Sequence, residues 1–243
     1  MRMSVFDRGD LRQLNLGSEG WTEQAAERYA ADDCAGIGLD PTRSYSDLDF
    51  LRPLPGLRVL SMGAARVTDM SAVFDKTDLE EFGGGLALRD LHGLSRLTRL
   101  RVLAVPYRRG IEEIAELTAL EQLQIEDWPK GAHLALLGPK PRLRSLWLSF
   151  KRTAEVSPAW FTSAPALTEL SLNGGRLTDT AGLAALTAVR EVRLADIKVS
   201  DLGFAASLPH LRLLELDNAG EVRGPLPQTG VELRLIGRTR ITD

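Results

Sequence analysis

The chain has few of the residues and runs that indicate redox chemistry, a metal cluster or membrane insertion. Its 243 residues include one cysteine, Cys34, which excludes an internal disulfide and a multi-cysteine metal site and favours a reducing compartment. The N-terminal residues MRMSVFDRGDLRQ are charged throughout and lack the apolar run of a signal peptide. No stretch approaches the ~20 consecutive apolar residues that span a bilayer. We therefore expect a cytoplasmic protein without a membrane partner.

The sequence also lacks a basic excess and a catalytic motif. Its formal net charge is −3, so the composition gives no reason to expect nucleic acid as a partner. The three histidines, His92, His133 and His210, lie far apart and show no metal-ligand spacing. The glycine run at Phe82–Gly85 is not followed by Gly-Lys-Ser/Thr, so we interpret it as a strand. Cys34 holds an apolar position and is interpreted as a buried thiol. We expect no catalytic residues, cofactor or metal.

What the sequence does contain is one pattern repeated along nearly its whole length, apolar-x-x-apolar-x-apolar. The stretch LTELSLNGGRLTDTAGLAAL, for example, is followed 22 residues on by VREVRLADIKVSDLGFAASL. The pattern occurs in eleven registers spaced 19 to 24 residues apart, with glycine replacing one apolar residue in the fourth and eleventh registers. The registers begin at Leu11, Cys34, Leu57, Leu79, Leu100, Leu120, Leu143, Leu167, Val189, Leu211 and Gly230. This periodicity predicts a single repeat domain over residues 1–243.

These repeats resemble the leucine-rich repeat family, whose consensus L-x-x-L-x-L and period they share. Their second halves resemble the short bacterial type found in internalins, in which an aliphatic residue precedes Thr/Ser-Asp. That signature stands in RVTDM (Arg66–Met70), RLTDT (Arg176–Thr180) and KVSDL (Lys198–Leu202). One departure is that the Asn that usually follows the strand is missing, so the buried Asn ladder is expected to be absent or replaced.

The resemblance implies an α/β fold, namely a curved, right-handed leucine-rich-repeat solenoid. Alternation in the L-x-L core predicts a strand in each repeat, and these strands form a parallel sheet on the concave face. Short helices or 3₁₀ turns return on the convex face, and we expect the Thr/Ser hydroxyl of the Thr/Ser-Asp pair to cap them. The first repeat, 1–33, contains a predicted α-helix within Trp21–Asp33, and 230–243 is a degenerate last repeat. Ser157 and Pro158 predict another helix start.

Residues between the strand leucines line the concave face, and their character changes along the chain. From the second to the fifth repeat they are mostly small, as at Gly36 and Gly38, and from the sixth repeat onward they are mostly acidic. Aromatic residues stand near the change. Exposed aromatic side chains are typical of interfaces, so we predict a groove for a protein or peptide that carries basic residues. Its predicted binding residues are Trp147, Phe150, Tyr107, Trp128, Glu126, Glu169, Glu191, Arg193, Glu215 and Asp217.

The expected function is therefore non-catalytic protein binding, for example by a bacterial cytoplasmic adaptor or an immunity-type protein that masks a basic partner. Two alternatives remain open. In one, Trp147 lies over neighbouring side chains and the acidic residues are only a solvated face. In the other, the protein is an enzyme or enzyme subunit that uses the region of Trp147 and Glu126 as a small-molecule pocket. The exposed edges of the terminal strands predict a monomer or an edge-mediated dimer.

Overall fold

The computed structural model describes residues 3–85, 88–151, 154–177, 179–199, 201–225, 227 and 229–242. Contacts between residues group the chain into two compact units, Met1–Leu117 and Thr118–Asp243. Both units repeat one plan, in which a strand is followed by a turn and a return segment. The single domain over 1–243 stays a prediction.

The first unit contains a sheet with the strand order β1-β2-β3-β5-β7-β8. Strand β1 pairs with β2 in antiparallel fashion, and the pairs β2-β3, β3-β5, β5-β7 and β7-β8 are parallel. Strands β4 and β6 form a separate, short parallel sheet. The bounds are β1 (Ser4–Arg8), β2 (Leu11–Asn15), β3 (Gly36–Gly38), β4 (Ser44–Tyr45), β5 (Val59–Ser61), β6 (Arg66–Val67), β7 (Glu81–Gly83) and β8 (Val102–Pro106).

Short helices form the return segments of the first unit. They are α1 (Glu23–Ala31), α2 (Ser71–Phe74) and the 3₁₀ helices Asp49–Leu51, Leu94–Arg96 and Ile111–Glu116. Helix α1 confirms the predicted helix, and it begins where the Oγ1 of Thr22 accepts a hydrogen bond from the Ala25 N–H at 3.2 Å.

The second unit contains a parallel sheet with the strand order β9-β10-β12-β14-β15-β17, and the short pairs β11-β13 and β16-β18. The strands are β9 (Gln122–Trp128), β10 (Ser145–Phe150), β11 (Glu155–Val156), β12 (Glu169–Asn173), β13 (Arg176–Leu177), β14 (Glu191–Ala195), β15 (Leu213–Asp217), β16 (Glu221–Arg223), β17 (Glu232–Ile236) and β18 (Arg240–Thr242). The return segments are α3 (Gly203–Ala206) and the 3₁₀ helices Leu134–Leu137, Pro158–Ser163 and Ala181–Ala185.

The predicted strand registers are confirmed within the units. In the second unit, for example, Leu146 stands opposite Leu170 and Leu148 opposite Leu172, and all four side chains are buried. Such leucine rows form the core between each sheet and its return segments, because no single repeat can bury its own apolar face.

Aspartate carboxylates cap the return segments, which corrects the expected role of the Thr/Ser hydroxyls. The Oδ1 of Asp69 accepts a hydrogen bond from the Ser71 N–H at 2.8 Å, and the Oδ1 of Asp179 accepts one from the Ala181 N–H at 3.0 Å. A carboxylate is a stronger acceptor than a hydroxyl, which favours this arrangement. Ser157 likewise makes no side-chain capping bond, although Pro158 begins the helix as predicted. Thr178 and Ser200 lie outside the described residues.

Left-handed residues followed by buried apolar residues replace the Asn ladder at several strand ends. Asp127, Asp196 and Asn218 have φ angles of 60°, 49° and 51°. Asp and Asn tolerate this conformation better than most residues. The next residue then turns into the core, as Ile197 and Ala219 do.

Candidate protein-binding face

The second unit presents a polar sheet surface, because its strands alternate between buried and outward residues. In β10, Leu146 and Leu148 are buried, whereas Ser145, Trp147 and Ser149 are half-buried and point to the other side. The same alternation places carboxylates outward on the neighbouring strands. We call this surface the acidic strand face, made of Gln124, Glu126, Trp147, Glu169, Glu191, Arg193, Glu215, Asp217, Glu232 and Arg234.

Trp147 lies among polar residues on the acidic strand face. It stands opposite Gln124 on β9 and Ser171 on β12, with Ser145 and Ser149 beside it on its own strand. Within the described residues, its indole N–H donates no hydrogen bond and its ring has no aromatic or cationic partner. The ring is thus a partly solvated apolar surface with an available donor, which is typical of interface residues.

Arginines neutralise part of the negative charge of this face. The Nη2 of Arg193 lies 2.5 Å from the Oε2 of Glu191. Arg234 lies 2.8 Å from Glu232 through Nε and 3.5 Å from Glu215 through Nη1. These pairs are a third to a half exposed on the arginine side, so each contributes little to stability.

The remaining carboxylates have no ion-pair partner among the residues that the structure describes. Glu126 accepts a hydrogen bond from the Nε2 of Gln124 at 3.0 Å, and the side chains of Glu169 and Asp217 form no hydrogen bond or ion pair within the described part of the chain. The acidic strand face therefore carries six carboxylates against two guanidinium groups. Its negative potential attracts cations, while salt bridges within the face fix part of its side-chain arrangement.

Trp128 and Phe150 lie in the core, which corrects their expected place on the binding face. Trp128 is 1% exposed and Phe150 is 6% exposed, and their ring centroids are 6.3 Å apart. The pairing of β9 with β10 shifts register between Leu148 and Phe150, and this irregularity turns Trp128 inward. The indole N–H of Trp128 donates to the carbonyl of Ala132 at 3.1 Å. Phe150 continues the alternation of the buried residues Leu146 and Leu148, so the sequence pattern already predicts that Phe150 is buried.

Tyr107 belongs to the first unit, where it follows β8 and is half-buried. Burial, followed by the negative charge of Glu112, raises the pKa of its phenol. Its predicted role in binding stays a prediction.

The sheet surface of the first unit is filled by side chains around β3, whereas nothing lies within 4 Å of a Cβ added to Gly83 on β7. A Cβ on Gly38 would stand 2.1 Å from the Oδ1 of Asn15 and 2.8 Å from the Nε2 of Gln13, so these side chains fill the space above β3. Val59 is 1% exposed, although it alternates with the core residue Leu60. Arg8 of β1, a strand that the sequence did not indicate, donates to Glu81 at 2.9 Å.

Other candidate chemistry is sparse in the described part of the chain. It contains no group of three or more His, Cys, Asp and Glu residues that could hold a metal ion. Cys34 is buried, and burial followed by the charge of Asp32 raises the pKa of its thiol, which disfavours the nucleophilic thiolate. The helices of the described residues are all too short or too polar to cross a bilayer.

Comparisons with known proteins identify the fold. An internalin (inlF) from Listeria monocytogenes str. 4b F2365 is similar over 85% of this chain and 69% of its own, with 19% identity and a TM-score of 0.61. The plant peptide hormone receptor RGFR1, solved in complex with RGF2, is similar over 84% of this chain and 35% of its own, with 15% identity and a TM-score of 0.58. No family model and no curated protein matches the sequence. The structural likenesses show an α/β leucine-rich-repeat fold of the internalin type.

Proposed function

We propose that this leucine-rich-repeat protein is a non-catalytic module whose acidic strand face binds a basic segment of a protein or peptide. Leucine-rich-repeat neighbours that include an internalin and a peptide hormone receptor support a protein-interaction module in general. The basic character of the partner comes from this chain's own residues. We also propose a cytoplasmic, bacterial setting and an adaptor or immunity-type role.

The observation that carries the proposal is the setting of Trp147. The ring is half-buried. On the neighbouring strand β12, Glu169 stands opposite Ser145, which lies two residues before Trp147 on β10. On the other side of Trp147, Glu126 lies within β9, directly after Ile125, the partner of Leu148. Strand geometry puts the Cβ atoms of both glutamates roughly 8 Å diagonally from that of Trp147. A guanidinium or ammonium group over the indole gains a cation–π interaction and the attraction of both carboxylates.

The experiment selects binding peptides from an unbiased displayed library with the purified chain as bait. We expect enrichment of Lys and Arg among the binders. Replacing Trp147 with Ala should weaken the selected peptides by at least ~2 kcal/mol, or about 30-fold, in a direct titration. The variant should remain folded, because the ring lies outside the leucine core.

The matched control is Glu116→Ala, since Glu116 is an exposed residue at the end of a 3₁₀ helix in the first unit. It should leave the affinity unchanged. Selection of acidic or apolar peptides, or equal affinity for the Trp147→Ala variant, would remove the acidic strand face as the binding surface.

The enzyme alternative places a small-molecule pocket in the region of Trp147 and Glu126. Two aromatic residues expected on the same face, Trp128 and Phe150, are buried in the core instead. Those two side chains line a cavity of about 220 Å³ together with Trp160 and His133. The fold neighbours are protein-binding proteins rather than enzymes, which supports the non-enzyme proposal.

We propose a monomer that can pair with a second copy through the edge strand β17. Strand β17 ends the strand order of the second unit, and its Leu235 and Ile236 are each 45% exposed. An exposed strand edge with apolar residues favours pairing with another strand. Sedimentation at increasing protein concentration tests this, and a monomer that persists at all concentrations would exclude the dimer.

A further inference from the structure

A pocket of about 530 Å³ lies in the second unit, beside the short strands β13 and β16 rather than on the acidic strand face. Its described lining combines three charged side chains with apolar residues, all from three successive repeats. Pockets for small ligands measure roughly 300–1,000 Å³ and place a few polar groups on mostly apolar walls. The pocket therefore has the size and the composition of a small-molecule site.

The pocket lies where the backbone pairing between two neighbouring repeats is interrupted. On one side, the Asp196 N–H donates to the carbonyl of Asp217 at 2.8 Å, and on the other side the Leu202 N–H donates to the carbonyl of Arg223 at 2.8 Å. Between these two bonds, the described residues of the two repeats share no backbone hydrogen bond. The opening is thus bounded by paired backbone on both sides.

Buried core residues form the apolar wall of the pocket. Leu177, Val199 and Ala219 contribute to the lining, and each of them is also part of the hydrophobic core. Gly220 keeps the space beside this wall open, since it has a φ of 80° and nothing lies within 4 Å of an added Cβ. An apolar group of a ligand can therefore lie against the wall and lose contact with water.

Two cations stand side by side at the pocket. Arg176 and Lys198 are opposite each other on adjacent segments of backbone, and both are exposed. Neither side chain forms a hydrogen bond or an ion pair with any described residue, and this includes Glu155, which stands opposite Arg176 on β11. Adjacent backbone segments of this kind are about 4.8 Å apart, so the two positive charges repel each other. An anion bound between them removes that repulsion.

Glu221 limits the charge of the anion that the pocket favours. It is the acidic residue of the described lining, it is exposed, and its carboxylate has no partner among the described residues. Two positive charges and one negative charge leave the lining with a net charge of +1. A ligand with one negative charge balances this, whereas a dianion would bring excess negative charge towards Glu221.

We infer that this pocket binds a small monocarboxylic acid with an apolar body. The carboxylate lies between Arg176 and Lys198, and the body lies against the apolar wall. A guanidinium group donates two parallel N–H bonds to a carboxylate, and the ammonium group of Lys198 adds a further charged donor. This site is separate from the proposed protein-binding function.

The test titrates the full chain with 3-phenylpropionate by calorimetry at one fixed ionic strength. Two further titrations separate the parts of the ligand, because 3-phenyl-1-propanol lacks the carboxylate and acetate lacks the apolar body. We expect 3-phenylpropionate to bind with a Kd at or below about 1 mM, and both other compounds to bind at least about tenfold more weakly. Shifts in the amide resonances of Val199 and Gly220 should locate the bound ligand.

The double variant Arg176→Gln/Lys198→Gln should bind 3-phenylpropionate at least about tenfold more weakly, because both charged donors are lost. Its thermal unfolding should be unchanged, since neither side chain has a described contact to lose. The matched control is Arg142→Gln/Arg190→Gln, which removes the same charge from two exposed arginines of the second unit that have no described side-chain partner. This control should leave the affinity unchanged.

The variant Glu221→Gln should change the affinity in the opposite direction. It removes a carboxylate that repels the ligand across the pocket, so 3-phenylpropionate should bind about threefold more tightly. Weaker binding by this variant would overturn the proposal. The same holds for absence of binding, for equal binding of acetate or 3-phenyl-1-propanol, and for an equal loss of affinity in the two double variants.

Discussion

At the scale of single residues, the carboxylate of Glu113 joins two neighbouring repeats. Its Oε2 accepts hydrogen bonds from the Ser95 N–H at 3.0 Å and the Ser95 Oγ at 2.8 Å, and also from the Gly93 N–H at 2.9 Å. These donors lie at the start of the 3₁₀ helix Leu94–Arg96 in the preceding repeat. Glu113 thus satisfies backbone groups that the short helix leaves without an intrahelical acceptor.

The Glu113 contacts make stability depend on pH. Burial raises the pKa of the carboxyl, but the hydrogen bonds from Ser95 and Gly93 outweigh it and leave the pKa below its ordinary value of 4.5. A lowered pKa in the folded state means that the carboxylate stabilises the fold above pH 4.5 and that this contribution is lost as the pH falls through the folded-state pKa.

We therefore predict that Glu113→Gln lowers the free energy of unfolding at neutral pH by about 1–2 kcal/mol, measured by urea unfolding. The difference from the unsubstituted chain should shrink in acid, where the carboxyl of Glu113 is protonated. Glu116→Gln, three residues on and exposed, should have no such effect. An equal difference at neutral and acidic pH would contradict a role for the charge.

Residue-scale features of the acidic strand face were only partly predictable. The outward position of Glu169, Glu191 and Glu215 follows from strand alternation with the leucines, which the sequence displays. The ion pairs of Arg193 and Arg234 depend on side-chain rotamers and on strand pairing, which no local pattern specifies.

At the scale of elements, a close approach between neighbouring repeats requires glycine at the end of β7. A Cβ on Gly85 would stand 1.5 Å from the carbonyl oxygen of Gly63, a backbone atom that cannot move independently. The Phe82–Gly85 run thus contains the end of β7, in line with its interpretation as a strand, and Gly85, two residues after β7, has a packing role.

We predict that Gly85→Ala destabilises the protein by at least ~2 kcal/mol, because the methyl group forces two backbone segments apart. Gly83→Ala is the matched control, as nothing lies within 4 Å of its added Cβ. Thermal and urea unfolding measure the loss of stability in each of the two variants. A Gly85→Ala variant as stable as Gly83→Ala would mean that the repeats are spaced more widely than described.

Elements with a repeated local signal were predictable from the sequence, and elements defined by pairing alone were not. The leucine registers and the helix within Trp21–Asp33 carry their own periodicity and composition. Strand β1 has five residues and little amphipathic pattern, and it forms through pairing with β2 and the contact of Arg8 with Glu81. Trp128 turned out to be buried because a register shift between strands decides its direction.

At the scale of the whole molecule, charge is distributed unevenly, and the net charge alone does not show this. The net charge of −3 combines a groove of three arginines in the first unit with six carboxylates on one face of the second. The groove, which Arg66, Arg89 and Arg108 help to line, could not be predicted, since its residues come from the two-residue strands β4 and β6 and from turns of the following repeats. Average composition therefore excluded a chain-wide basic field but gave no information about local sites.

The acidic strand face should act on a basic partner in two separable ways. Glu126 and Glu169 have no ion-pair partner among the described residues, so their charges contribute to long-range attraction. Trp147 is uncharged, so it affects the partner only through direct contact in the bound complex. We predict that Glu126→Gln/Glu169→Gln lowers the association rate constant by about tenfold at low ionic strength. The association rate of this double variant should also depend less on salt. Trp147→Ala should mainly speed dissociation. Stopped-flow kinetics with a selected basic peptide at several salt concentrations separates the rates.

The paired acids of the same face provide the control for this prediction. Glu191→Gln leaves Arg193 without its partner, so the double change Glu191→Gln/Arg193→Gln removes one charge of each sign and conserves the net charge. It should change the association rate far less than neutralising Glu126 and Glu169 does, because steering follows the net charge of the surface. If both double variants slow association equally, local contacts rather than the long-range field govern the encounter, and the basic character of the partner loses its electrostatic basis.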